Sequence, residues 1–343
     1  MSLAVGLNGA GRIGRVLLRL LRDDPQVRIV AVNDVADPDL LVHLLRHDSI
    51  HGPFPGRVER PDEGILAIDG RPVRLTARNR PERIPWEAAG AEVVVDATGA
   101  FTGRGAARGH LERPGVRRVI VSAVSDEPDA VVVLGVHDGT VPEAARVVST
   151  GSCTTHAAAL PLLLLDRAFG IVAAEVGTVH CTTGSQPAID LPHRDRRRAR
   201  SALLSMIPTT TSASRGLAAA LPRLAGRLTC HAIRVPVATV SLVDIVAQTE
   251  RPLPDLDGLR RLFVDAAAGP LRGLLGTSED ELVSIDFRGD PRSAIVDLPL
   301  IARPGDHLVR VIAWYDNEWG YANRLADLLR IWSRDARPGE SSR

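Results

Sequence analysis

The chain has 343 residues, with 42 basic against 41 acidic side chains, a formal net charge of +1 and 45 % hydrophobic residues. It contains no Lys, so every basic residue is Arg; that excludes Schiff-base and pyridoxal-phosphate enzymes and Walker-type nucleotide sites, each of which needs a Lys amine. The even charge argues against a dedicated nucleic-acid binder, the 3 Cys are too few and scattered for a disulfide framework or a zinc site, and there is neither a basic leader nor an apolar run of roughly 18 residues for a membrane span, so the expectation is a cytoplasmic globular protein of about two domains.

Residues 3–7 form a short apolar run that leads straight into Asn8-Gly9-Ala10-Gly11-Arg12-Ile13-Gly14, after which residues 16–21 carry apolar side chains at helical spacing. A second apolar run, 27–32, ends at Asn33-Asp34. Strand, glycine turn, helix and strand make a βαβ unit. Gly9 permits the tight turn, Gly11 lets the backbone approach a pyrophosphate, and Gly14 lets the helix pack closely, while the helix N-terminus offers N–H donors and partial positive charge. Asp34 follows Gly14 by 20 residues, where a carboxylate accepts ribose hydroxyls and repels a 2′-phosphate. The bland alternative is a glycine turn that only packs a sheet, and the placement of the acid weighs against it. Further buried-strand runs at 91–96, ending in Ala97-Thr98-Gly99, and at 118–122 and 130–134 continue a parallel sheet. The spacing therefore predicts a Rossmann-type doubly wound parallel sheet over residues 1–152.

From residue 153 the pattern changes. An apolar helix over 157–168 has Pro161 in its expected first turn, where proline is tolerated. Strand-like runs at 175–181, 229–235, 241–248 and 309–314 alternate more, and residues 256–268 look helical, so a second α+β catalytic domain with a mixed or antiparallel sheet is expected over 153–318. A closing helix (319–335) is expected to return to the first domain, followed by a disordered Pro/Gly/Ser-rich tail, 336–343. His43, His47 and His51 fall in a loop-like stretch with no carboxylate spacing that suggests a metal.

Ser152-Cys153-Thr154-Thr155 opens the apolar helix. A Cys at a helix N-terminus feels the positive end of the dipole, which favours the nucleophilic thiolate. An inert buried thiol is the commoner fate of a lone cysteine, and it is the reading adopted for Cys181 and Cys230 in their strand-like runs. His180 comes 27 residues after Cys153, at the end of a strand; a His is the usual partner of a catalytic Cys, although spacing alone leaves the contact open. Arg234 ends a strand, Thr183, Thr211 and Ser212 lie in turn-like segments, and Arg194, Arg196, Arg197, Arg198 and Arg200 form a cluster. An Arg fork suits phosphate; for most of the cluster a solvated face or an inter-subunit salt-bridge layer is the simpler reading. A dinucleotide combined with a nucleophilic Cys suggests attack on an aldehyde, hydride transfer and a thioester released to an acceptor.

With these residues in place, the sequence resembles the phosphorylating glyceraldehyde-3-phosphate dehydrogenases over roughly residues 3–333. The resemblance is carried by Val5-Gly6-Leu7-Asn8-Gly9 through Arg15, Asp48-Ser49-Ile50-His51-Gly52, Ser152-Cys153-Thr154-Thr155, Asp190-Leu191-Pro192-His193 and Ile207-Pro208-Thr209-Thr210-Thr211, and most specifically by Trp314-Tyr315-Asp316-Asn317-Glu318-Trp319-Gly320-Tyr321. It implies oxidation of D-glyceraldehyde 3-phosphate to 1,3-bisphosphoglycerate, with Cys153 as nucleophile and His180 as acid–base. It also implies NAD held by Gly9, Gly11, Arg12, Ile13, Gly14, Asp34, Thr98, Gly99, Ser122 and Asn317, the last on the nicotinamide carboxamide. Thr183 and Arg234 would hold the substrate phosphate. Ser152, Thr154, Thr211, Ser212 and one of Arg197 or Arg198 would hold inorganic phosphate. Asp34 with Pro192 matches the NAD-preferring pattern, and the family is a homotetramer whose arginine-rich loop crosses between subunits.

The chain also departs from the family pattern. It has His156 for Asn, Ala157 for Cys, Thr150-Gly151 before the Ser-Cys pair, Ser212 for Gly, Ala10 for Phe, Asn79 for Arg, and Val237-Ala238-Thr239 after Arg234. These changes bear on efficiency and substrate choice. They keep open the same chemistry on another phosphorylated aldehyde such as erythrose 4-phosphate, water as acyl acceptor, a specialised or inhibitor-resistant paralogue, and a non-catalytic dinucleotide or nucleic-acid binding protein. No metal and no membrane partner are expected.

Overall fold

The computed structural model describes residues 2–184 and 186–335; the expected tail, 336–343, lies outside the described residues. The chain divides into two compact units, one of residues 2–132, 139–151 and 322–335, the other of 133–138 and 152–321.

The first unit opens with β1 (Leu3–Asn8), α1 (Arg12–Leu21) and β2 (Val27–Asn33), followed by α2 (Pro38–Arg46) and the strands β3 (Val58–Asp62), β4 (Ile65–Ile68) and β5 (Arg71–Thr76). β6 (Val93–Asp96), β7 (Arg118–Val121), β8 (Ala130–Val131) and β9 (Val147–Ser149) complete a nine-stranded sheet in the order β3-β4-β5-β2-β1-β6-β7-β9-β8. β1 pairs in parallel with β2 and β6, and only the β3–β4–β5 edge is antiparallel. β1 is buried along its whole length, as a central parallel strand covered on both faces must be.

Two expectations are corrected here. The stretch holding His43 is helical, with His47 as its extended C-cap: Asp37 accepts hydrogen bonds from the amides of Asp39 and Leu40, and Pro38 occupies the first turn, which together start α2. The run at 130–134 contributes only a two-residue strand, because the chain passes to the other unit at residue 133.

The second unit begins with α3 (Cys153–Phe169), then β10 (Ile171–His180), β11 (Ile207–Thr209), α4 (Ala213–Ala220), β12 (Leu228–Arg234), β13 (Ser241–Thr249), α5 (Leu256–Ala268), β14 (Leu275–Ser278), β15 (Ala294–Asp297), β16 (Ala302–Gly305) and β17 (Leu308–Tyr315). The sheet is mixed, in the order β11-β12-β10-β13-β17-β15-β14, with β16 beside β17; β10 and β12 are parallel, while β10, β13 and β17 are antiparallel neighbours. α3 begins four residues earlier than its apolar run suggests, because Ser152 and Thr155 form a reciprocal capping box. Pro161 therefore sits inside the helix rather than in its first turn, and its missing N–H forfeits one helical bond. The apolar residues of α3 offset that loss: Ala157 to Leu160 and Leu162 are fully buried against β10, β13, β17 and Phe263 of α5. α6 (Trp319–Asp335) closes the described chain, and from residue 322 onward it belongs to the first unit. There Arg330 pairs with Asp24 at 2.7 Å, Trp332 donates to the Gly139 carbonyl, and Arg118 lies over the Trp332 ring. Among the described residues no helix is long and apolar enough to cross a membrane.

Candidate active site

In the first unit the glycine turn is built as its residue types require. Gly9 has φ +90°, and a Cβ at Gly14 would stand 2.1 Å from the Gly9 carbonyl oxygen, so α1 can approach β1 only with glycine there. At Gly11 an added Cβ would meet nothing within 4 Å. Gly11 is the N-cap of α1 and no side chain caps it, so the first turn, with Arg12 and Ile13, presents its amides to the space beside the turn. That space is a cleft of about 400 Å³ lined by Gly9, Gly11, Asp34, Asn79, Thr98 and Phe101, among others. Asp34 accepts from the Ala10 amide at 2.7 Å and from the Ala36 amide at 2.9 Å. Two carboxylate oxygens carry about four acceptor positions, so acceptor capacity remains for ribose hydroxyls. An uncapped helix terminus, a glycine cradle and a strand-end acid fit a dinucleotide.

Beneath this cleft lies a buried polar network that sequence reasoning missed. Asp96, at the end of β6, accepts from Asn8 (2.8 Å), from the Thr98 hydroxyl (2.6 Å) and from His110 Nε2 (3.1 Å). Trp86 donates to His110 Nδ1 at 3.0 Å, which assigns the remaining ring proton to Nε2, facing the carboxylate. Asn33 donates to Asn8 and accepts from Thr76 and the Arg78 amide. Burial alone pushes the Asp96 carboxyl up, but the hydrogen bonds from His110, Thr98 and Asn8 outweigh it and hold the group below the usual carboxylate value. The network fixes Thr98 and, through it, the turn at Gly99 (φ +67°); Ser122 follows β7, its amide donating to the Asp96 carbonyl at 2.9 Å.

In the second unit the parallel register of β10 and β12 sets His180 directly opposite Arg234. The capping box places Cys153 at the first position of α3, with Sγ 3.7 Å from His180 Nε2. His180 Nδ1 lies 2.8 Å from the Cys181 carbonyl oxygen; Arg234 Nη1 donates to the same carbonyl at 3.1 Å and also lies against Nδ1. A ring that gives its Nδ1 proton to the carbonyl turns the Nε2 lone pair toward the thiol.

The expectation that the helix end lowers the Cys153 pKa is overturned in one respect. The side chain is half-buried against the core, and desolvation pushes the thiol above its ordinary value despite the opposing pull of the Arg234 cation and the Thr154 amide and hydroxyl. Thr154 is itself buried, its hydroxyl 3.0 Å from the Tyr315 hydroxyl, which is equally 3.0 Å from Thr178. Tyr315 stands edge-on to the His180 ring at 6.1 Å. This tyrosine, invisible as a site residue because it reads as part of an apolar strand, ties α3, β10 and β17 together behind the Cys–His pair.

The remaining expected residues separate into groups. Arg198 donates to the Thr209 hydroxyl (2.6 Å) and the Thr210 carbonyl (3.1 Å), whereas Arg197 is exposed. Thr211, just before α4, accepts from the Ala213 amide at 3.1 Å, beside exposed Ser212, which is the N-cap residue of that helix. Thr183 is half-buried and held by Gln186. His156 is buried, its ring edge-on to Tyr321 at 5.6 Å. Asn317 follows β17 in a turn where Asp316 accepts from the amides of Glu318, Trp319 and Gly289. Cys181, read from sequence as an inert strand residue, lies just beyond the end of β10 and donates to Asn317 Oδ1 at 3.0 Å.

A doubly wound sheet with a dinucleotide turn, joined in one chain to a unit that sets a cysteine at a helix start against a strand-end histidine, defines the thiol-dependent, nucleotide-linked aldehyde dehydrogenases as a class. Residues 3–104 match the NAD binding domain of glyceraldehyde 3-phosphate dehydrogenase, and residues 152–317 match its C-terminal domain. The chain is 42 % identical over 330 residues to glyceraldehyde-3-phosphate dehydrogenase 1 of Bacillus subtilis, covering 96 % of this chain and 97 % of the relative. It is 41 % identical over 329 residues to the Geobacillus stearothermophilus enzyme (96 % and 97 %), and 42 % identical over 329 residues to that of Kitasatospora aureofaciens (95 % and 98 %). The chain belongs to the glyceraldehyde-3-phosphate dehydrogenase family.

Proposed function

We propose that this protein is an NAD-dependent phosphorylating aldehyde dehydrogenase acting on D-glyceraldehyde 3-phosphate. The observation that carries the reading is the Cys153–His180 pair, with Sγ 3.7 Å from Nε2 and Arg234 alongside. As Sγ attacks the aldehyde carbon, His180 takes the thiol proton and returns it to the carbonyl oxygen, giving a thiohemiacetal on Cys153. His180 then removes that hydroxyl proton as the carbon loses hydride, and the C–O bond becomes the carbonyl of a thioester. NAD supplies the hydride acceptor. Inorganic phosphate attacks the thioester, the sulfur leaves as thiolate, and 1,3-bisphosphoglycerate is released.

The residues proposed to bind NAD are Gly9, Gly11, Arg12, Ile13, Gly14, Asp34, Thr98, Gly99 and Ser122, with Asn317 on the nicotinamide. Arg234 and Thr183 would take the phosphate already on the substrate. Arg198, which reaches the Thr209–Thr210 segment, is a better candidate than Arg197 for inorganic phosphate, together with Ser152, Thr154, Thr211 and Ser212. The protein is proposed to be cytoplasmic and to act as a homotetramer. Support for assembly is the apolar surface on the arginine-rich segment, where Ile189, Leu191, Leu203, Leu204 and Met206 are 57–86 % exposed.

The test is NADH formation from a panel of phosphorylated aldehydes with and without phosphate. The expected outcome is a rate with glyceraldehyde 3-phosphate that rises with phosphate concentration. No NADH from any of these aldehydes would overturn the reading, and a phosphate-independent rate would make water the acceptor.

A further inference from the structure

We infer that Cys181 is a positioning residue for the cofactor's pyridine carboxamide, acting through Asn317; the inference rests on the proposed role of Asn317. An asparagine amide has nearly the same shape either way round, so its partners decide which end faces a ligand. Here the thiol of Cys181 donates to Oδ1 at 3.0 Å, and both side chains are buried, at 0 % and 5 % exposure. With Oδ1 occupied by a donor, the amide keeps Nδ2–H to give, and the group it selects is the carbonyl oxygen of a carboxamide rather than its amine.

The sulfur is itself held in place. The Cys181 amide donates to Ser241 Oγ at 3.1 Å, and its carbonyl receives Arg234 Nη1 at 3.1 Å and lies 2.8 Å from His180 Nδ1. One residue therefore connects the base, the phosphate-binding arginine and the amide that meets the nicotinamide. A hydroxyl at position 181 preserves the donor; a methyl removes it and frees the amide to turn.

The experiment is calorimetric titration of the full-length chain with NAD and with ADP-ribose, which lacks the nicotinamide, for wild type, Cys181→Ala, Cys181→Ser and Asn317→Ala. Cys181→Ala is expected to weaken NAD about five- to tenfold, the effect of one lost hydrogen bond, and to leave ADP-ribose unchanged, with Cys181→Ser restoring most of the loss. If Asn317→Ala discriminates against NAD but Cys181→Ala does not, or if Cys181→Ala weakens both ligands alike, the role of the thiol is overturned. If Asn317→Ala fails to separate the two ligands, the assignment of Asn317 falls and takes the proposal with it.

Discussion

At the Cys153 sulfur two effects oppose each other, and burial wins. Desolvation disfavours the thiolate while the Arg234 guanidinium favours it, and the net shift is upward. Alkylation of the free protein by iodoacetamide should therefore rise with pH through a midpoint above the ordinary thiol value. Arg234→Ala removes the favourable cation and should push that midpoint higher; a downward move would contradict the account. His180→Asn keeps the fold but removes the proton acceptor 3.7 Å from Sγ, so kcat should fall by about 10²–10⁴-fold, the usual range for a lost acid–base group. Position 153 could be read from its place after Ser152 at the start of an apolar helix. The upward shift could not, because the groups that desolvate the sulfur come from strands distant in sequence.

Among the elements, the glycine turn and the network below it set the dinucleotide cleft. Gly14→Ala places a methyl 2.1 Å from the Gly9 carbonyl oxygen, and the turn must open; titration should show NAD and ADP-ribose binding lost together. Asp96→Ala leaves Asn8, Thr98 and His110 as buried donors without their acceptor, at a cost of about 2–3 kcal/mol in chemical denaturation at neutral pH. The carboxyl is held below its unfolded value, so its contribution is fully present above the unfolded pKa of roughly 4 and is lost as pH falls through the lower folded value. The stability gap between wild type and Asp96→Asn should accordingly shrink at acid pH; a gap that stays constant would place the effect in packing instead. The turn itself was legible because glycine spacing and a strand-end acid are local signals. The Asp96–His110–Trp86 chain was not, since its members stand 14 and 24 residues apart and meet only after the sheet has formed.

For the molecule as a whole, the proposed assembly concentrates on the segment that carries both arginines and exposed leucines. Arg200 pairs with Asp190 at 2.8 Å within that segment, and Leu204 and Met206 beside it are 86 % and 76 % exposed. Replacing both with Asp should shift the protein from tetramer to smaller species in light scattering while leaving the far-ultraviolet circular dichroism unchanged. A tetramer that persists would move the interface elsewhere.

The order of residues alone determined the βαβ opening, the acid at the end of its second strand and the cysteine at a helix start, because each depends on periodicity, a cap or a short fixed spacing; it left open whether His180, 27 residues after Cys153, meets the thiol. Tertiary structure decided what depends on which strands become neighbours. The parallel register of β10 and β12 put Arg234 beside His180, the antiparallel β13–β17 ladder brought Tyr315 behind the pair, and the turn after β17 delivered Asn317 to Cys181. These contacts join residues more than fifty positions apart and follow from sheet order, which no local pattern encodes.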